Sequence, residues 1–147
     1  MAYCTQADVE KECGGLQRLV ELTDDARSGN LDQAAIDLLT GKIADADAWI
    51  DSYAQRRHAV PFASPSAAIK RLSIKETVYL LLSRRGLQTD DDEKAHERRE
   101  HWLEGLAAGR VSPGTDPVPT KSTAVAAQVF DRSCDEDISI ESLKGFW

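Results

Sequence analysis

Leu31, Ala35, Leu39, Ile43, Ala46, Ile50 and Tyr53 follow one another at intervals of three or four residues, with mostly polar side chains between them. Only a helix brings such positions onto one face, so the spacing predicts a long amphipathic helix over roughly 31–54. Asn30 is placed to cap its start and Pro61 to end it. A second segment opens at "SPSAAIKRL", with Ser64 as N-cap and Pro65 at the first helical position, where a missing N–H costs nothing. Ile69, Leu72, Val78, Tyr79, Leu81 and Leu82 make it the most apolar segment and the expected centre of the domain, and Gly86 supplies a left-handed stop.

Shorter patterns flank these two. Thr5 followed by Asp8 reads as a capping box, and Leu16, Leu19 and Val20 share one face of "GLQRLVELT", which predicts two short N-terminal helices. A last helix begins at Thr89, carries Asp90, Asp91, Asp92 and Glu93 in its first turn, turns Ala95, Trp102, Leu103 and Leu106 inward, and closes at Gly109. The expected fold is therefore all-α, a small bundle of four to five helices.

After Gly109 the pattern breaks. "RVSPGTDPVPTKST" holds three prolines and a glycine and reads as an extended linker. Residues 1–111 are thus expected to form the helical domain and 112–147 an extended C-terminal arm. That arm retains Val125, Val129, Phe130, Ile138, Ile140, Leu143, Phe146 and Trp147, more apolar residues than a solvated tail keeps, so they are expected to form a partner interface. "ISI" alternates at strand period and suits strand addition to a neighbour.

Composition narrows the function classes. Hydrophobic residues make up 41% of the chain and charged residues 29%, as in ordinary globular proteins. Eighteen Lys and Arg against 25 Asp and Glu give a net charge of −7, which repels phosphate backbones and counts against DNA binding. No apolar run is long enough for a membrane helix, and "MAYCTQADVEKEC" lacks the regions of a signal peptide, so a cytosolic protein without membrane contact is expected. Cys4, Cys13 and Cys134 match no metal or redox spacing and read as free thiols.

Candidate chemistry is sparse. Asp47 and Asp51 lie four apart, a spacing compatible with acid–base work or metal binding, but nothing nearby supplies a nucleophile, a phosphate loop or a third ligand; they read as a solvated or ion-paired face. Arg56, Arg57 and His58 stand at the C-terminus of the long helix, where cations favour the dipole, and Arg57 is expected to pair with Asp51 or Asp47 or to cap that end. Lys70–Arg71, Arg84–Arg85 and Arg98–Arg99 fall among acidic residues and predict a surface laced with salt bridges. His96 and His101 are five apart, off the spacing of a helical metal pair. No catalytic residue, cofactor or metal site is expected.

In order along residues 1 to about 111, "AYCTQADVE", "LVELTD", "IADADAWIDSYAQRRHAVPF", "ETVYLLLSRRG" and "WLEGLAAGRV" resemble the Mu-type head–tail connector, or head-completion, proteins of tailed bacteriophages. The most specific part is the spacing from Ile50, Asp51 and Tyr53 through Arg57 to Pro61; Tyr3, Asp8, Leu22-Thr23-Asp24, Tyr79, Arg84-Arg85 and Gly109 support it. Ala54 and His58 depart from the family pattern, which has a leucine and an aromatic there. The resemblance implies an all-α structural subunit, not an enzyme, that forms a homo-oligomeric ring, typically twelvefold. The ring would bind the portal protein above and a neck or tail-terminator protein below, with DNA passing through without specific binding. The implied location is the virion neck, after assembly in the host cytoplasm. The competing reading is a DNA-binding regulator, with "SIKETVYLLLSRRG" as part of a helix-turn-helix; a small enzyme has only isolated carboxylates and cysteines in its favour.

Overall fold

Five helices make up the regular structure of residues 2–114, the part of the chain that the computed structural model describes: α1 (Gln6–Cys13), α2 (Leu16–Thr23), α3 (Gln33–Ala54), α4 (Ala67–Arg85) and α5 (Asp90–Ala107). No strand occurs among the described residues, and the fold is the all-α bundle that the periodicity predicts. The arm residues Val125, Val129, Phe130, Ile138, Ile140, Leu143, Phe146 and Trp147 lie outside the described residues. No described helix is long and apolar enough to cross a membrane.

The helix starts show which local signals decide. Thr5 and Thr89 each close a full capping box, with Asp8 and Asp92 as the returning carboxylates. The other two assignments shift by two residues. Asp32 rather than Asn30 caps α3, its Oδ1 accepting the Ala35 N–H at 2.8 Å, because a carboxylate so placed satisfies an orphan donor of the first turn. Ser66 rather than Ser64 caps α4 through the Ile69 N–H, so Pro65 precedes the helix instead of opening it. The Ser66 hydroxyl also donates to the Pro113 carbonyl, which ties the last described residues to the start of α4. Gly86 ends α4 with φ 65° and the paired bonds Gly86 N–H to Ser83 O and Leu87 N–H to Leu82 O. Pro61 does not end α3: the helix stops at Ala54, and turns closed by Arg57 and His58 N–H on the Ala54 carbonyl lead to a cis Val60–Pro61 bond.

α3 packs most extensively on α4. The two run antiparallel, since Ile50 shares a cluster with Ile69, and Leu39 and Ile43 share one with Leu81. Each half of the pair is covered differently. At one end Ile50, Ala54 and Ile69 meet Tyr3, Phe62 and Leu103 and Leu106 of α5. At the other, Leu39, Ile43 and Leu81 meet Cys4, Val9 of α1 and Leu19 and Leu22 of α2. Between the two apolar clusters lies a buried polar layer of Asp47, Ser73, Glu76 and Thr77.

Candidate functional site

The polar layer is the most chemically endowed part of the described structure, and the signature residues surround it. Asp47, on the flank of the long helical stripe, is buried rather than solvated. It accepts the Tyr3 N–H on Oδ2 at 2.9 Å and the Ser73 hydroxyl on Oδ1 at 2.5 Å. Asp51, one turn on, accepts the Tyr3 hydroxyl, and the same hydroxyl oxygen accepts the Phe62 N–H at 3.0 Å. The expected solvated face is therefore a clasp: one tyrosine ties the N-terminus, the end of α3 and the residue after Pro61 together, with its ring 5.9 Å from that of Phe62. Burial, and then the bond to Asp51, push the Tyr3 phenol up, so it stays protonated and donating.

Burial also raises the Asp47 carboxyl above its ordinary value, and the hydrogen bonds from Ser73 and Tyr3 only partly offset this. The folded protein then holds a proton more tightly at this site than the unfolded chain does. Stability contributed here is present below the unfolded aspartate value of about 3.9 and is lost as pH rises through the higher folded value. Asp47→Asn keeps an acceptor for Tyr3 and, since Ser73 can rotate to accept, is expected to fold within about 1 kcal/mol of wild type with a flatter pH–stability curve on the acid side. Asp47→Ala leaves the Tyr3 N–H without its acceptor and the Ser73 hydroxyl with only the Cys4 sulfur, 3.2 Å away, and should cost about 1–3 kcal/mol. Urea melts across the acid range check both; an Asn variant as damaged as the Ala variant contradicts the account.

Arg57 pairs with neither carboxylate, whose partners are Tyr3 and Ser73. Its guanidinium lies instead against the backbone of Gly109, where a Cβ would sit 2.6 Å from Nη1. Gly109 has φ 75° and terminates α5, with Gly109 N–H on Leu106 O and Arg110 N–H on Gly105 O. Arg57 thus places its cation at the C-terminal end of α5, not of its own helix, and joins the α3–α4 connection to the last helix. Gly109→Ala is expected to cost about 1 kcal/mol, mainly from the left-handed backbone, because the guanidinium can move aside. A double-mutant cycle with Arg57→Ala should reveal coupling; strictly additive melts would separate the two residues.

The remaining signature residues are also structural. Ile50 is fully buried, and the Tyr53 hydroxyl donates to Glu100 of α5 at 3.0 Å. Leu22 and Asp24 meet the arginine pair: Arg85 Nε and Nη2 donate to the Leu22 and Asp24 carbonyls at 3.2 and 2.9 Å, and both Arg84 and Arg85 pair with Asp25. Two distant matches thereby close the C-terminal end of α2. Lys70 pairs with Asp8 and Lys75 with Glu12, so the salt-bridge-laced surface is present there; Arg71 and Arg98 have no ion pair among the described residues.

A second constellation was not legible as one. Glu76, 3% exposed, accepts Arg99 Nε at 3.2 Å and lies 3.0 Å from His96 Nδ1. His96 is stacked between Tyr79, at 4.4 Å, and Trp49, at 5.2 Å. Arg99 pairs with the buried Glu76 carboxylate across α4 and α5, and the stack of Trp49 on His96 brings in α3. The sequence signal was the helical spacing of Ser73, Glu76 and Thr77 within an apolar segment. Among the described residues, no three His, Cys, Asp or Glu side chains are placed to hold a metal ion. Cys4 and Cys13 are free, and burial raises both thiols, which disfavours the nucleophilic thiolate; Cys134 lies outside the described residues.

The family described as "Bacteriophage Mu, Gp36" matches residues 3–131. No curated protein matches the chain.

Proposed function

From the chain's membership of the bacteriophage Mu Gp36 family, we propose that it is a structural protein of the phage neck, a head–tail connector rather than an enzyme. Its subunits form a ring, typically twelvefold, below the portal protein, meet a neck or tail-terminator protein on the other side, and let DNA pass through. It works in the virion and is assembled in the host cytoplasm, without cofactor or membrane.

The observation that carries this reading is the agreement between the resemblance and the contacts. Tyr3 with Asp51, Leu22-Thr23-Asp24 with Arg84-Arg85, and Arg57 with Gly109 are pairs far apart in sequence that meet in space. They serve to hold one particular bundle, as a building block requires. An acidic chain of net charge −7 also suits a channel through which DNA must slide without being gripped. Against the regulator reading, the arginines of "SIKETVYLLLSRRG" stand at the end of α4 and pair with Asp25 rather than lining an exposed recognition face.

Complementation tests the reading. Phage lacking this chain should accumulate DNA-filled heads and separate tails, and purified protein added to the extract should join them. Heads that remain empty, or normal particles formed without the chain, would contradict it. Binding of duplex DNA should be weak at all salt concentrations, whereas a regulator shows a steep salt dependence.

A further inference from the structure

Two of the arginines left without ion pairs face the same place. Between α4 and α5 runs a largely apolar groove of about 410 Å³, lined by Ala68, Leu72, Ala95 and Trp102 together with Arg71, Lys75, Arg98 and Arg99. Lys75 is engaged with Glu12, and Arg99 with Glu76. Arg71 and Arg98 are exposed and have no carboxylate partner among the described residues. The groove therefore suits a ligand that is mainly apolar and carries carboxylates for these two arginines.

The chain contains a segment of that chemistry. Residues 131–147, "DRSCDEDISIESLKGFW", carry Asp131, Asp135, Glu136, Asp137 and Glu141 against Arg132 and Lys144, together with Ile138, Ile140, Leu143, Phe146 and Trp147. We propose that the groove between α4 and α5 is the dock for this acidic, apolar C-terminal segment of a neighbouring copy of the chain. The proposal deepens the connector reading and rests on it for the presence of a neighbouring subunit.

Charge complementarity selects the segment, its reach admits a neighbouring subunit, and the ring supplies one. The described chain ends beside Ser66, one residue before α4 and close to the start of the groove. The groove residues on α4 run from Ala68 to Lys75, about 10 Å of helix. Residues 115–130 intervene before the acidic segment, and a chain of that length can span up to about 55 Å, several groove lengths and enough to reach a neighbouring subunit. Repeated around a ring, the contact is heterologous, each copy giving its segment and receiving another, which is the geometry that closes a cyclic assembly. Nucleic acid is the poorer fit, since its phosphates would meet Arg71 and Arg98 but leave the apolar lining of the groove, which the segment's isoleucines, leucine and aromatic residues can cover.

A fluorescent peptide of residues 131–147 tests the dock by anisotropy. The receptor is the full-length chain with Asp135, Glu136 and Asp137 changed to Lys, which keeps its own segment out of the groove. Saturable binding that weakens with salt is expected, and adding Arg71→Glu and Arg98→Glu to the receptor should reduce affinity at least about tenfold with an unchanged circular dichroism spectrum. A peptide with Asp135→Lys and Asp137→Lys should recover binding to that variant. No binding, binding indifferent to Arg71 and Arg98, or a duplex oligonucleotide held by these same residues would overturn the proposal. Oxidation of the otherwise natural chain carrying Ala95→Cys should trap a disulfide with Cys134 of another copy, seen as covalent multimers and abolished by Cys134→Ser; a bridge formed only within one chain would overturn the neighbour assignment. If the peptide docks and complementation fails, the connector reading falls while the dock stands; if complementation succeeds and the peptide does not dock, the reverse holds.

Discussion

Leu81→Ala is expected to lower the free energy of unfolding by about 2–5 kcal/mol, and Ile50→Ala by a similar amount. Both side chains are fully buried, at opposite ends of the antiparallel α3–α4 pair. Leu81 packs among Val9, Leu19, Leu22, Leu39 and Ile43, so the cavity left by its removal is walled by three other helices and has little freedom to collapse. Ile50 packs against Phe62, Ile69, Leu103 and Leu106 in the same way. Because the buried polar layer separates the two clusters, the two losses should add to within a few tenths of a kcal/mol in the double variant. Denaturant melts with unchanged slope would read both values; a loss below about 0.5 kcal/mol at either position would mean that α3 and α4 are not the centre of the domain.

The largest functional effect is expected from removing the arm. A chain cut after Gly114 keeps the bond from Ser66 to the Pro113 carbonyl, every helix and both apolar clusters. Its helical content and melting behaviour should match those of the full chain. It should nonetheless fail to join heads to tails, because the lost segment holds the apolar residues Val125, Val129, Phe130, Ile138, Ile140, Leu143, Phe146 and Trp147, and burying such residues on assembly is what offsets the entropy of ordering them. The cut belongs after Gly114, since removing Pro113 would leave Ser66 without the carbonyl it donates to. Infectious particles at normal yield with the cut chain would show the arm to be dispensable.

The sequence made the helices legible where two signals coincide. Thr5 with Asp8 and Thr89 with Asp92 combine a cap with its returning carboxylate, and Gly86 and Gly109 follow the last apolar position of their helices. Where two capping residues stand two apart, as with Asn30 and Asp32 or Ser64 and Ser66, local chemistry alone does not choose between them. Asp47 was unreadable for a different reason. Its partners, Tyr3 and Ser73, are 44 and 26 residues away, so a polar residue beside an apolar stripe looks solvated until the N-terminus folds over it. α4 illustrates the same limit: its buried face is Ile69, Ser73, Glu76, Thr77 and Leu81, polar in the middle, while Leu72, Val78 and Tyr79 are only partly buried. Apolar content pointed to the central helix without saying which of its sides faces inward. Arg57 was placed at the right kind of target, a helix C-terminus, but on another helix, a choice that only the packing of α5 decides.

Negative-stain microscopy of purified portal, alone and mixed with this protein, tests the central claim most directly. The account predicts an added ring of density on one face of the portal, of the same rotational order, present with the full chain and missing when the chain is cut after Gly114. A portal unchanged by a folded, full-length chain would contradict the assignment of this protein to the neck.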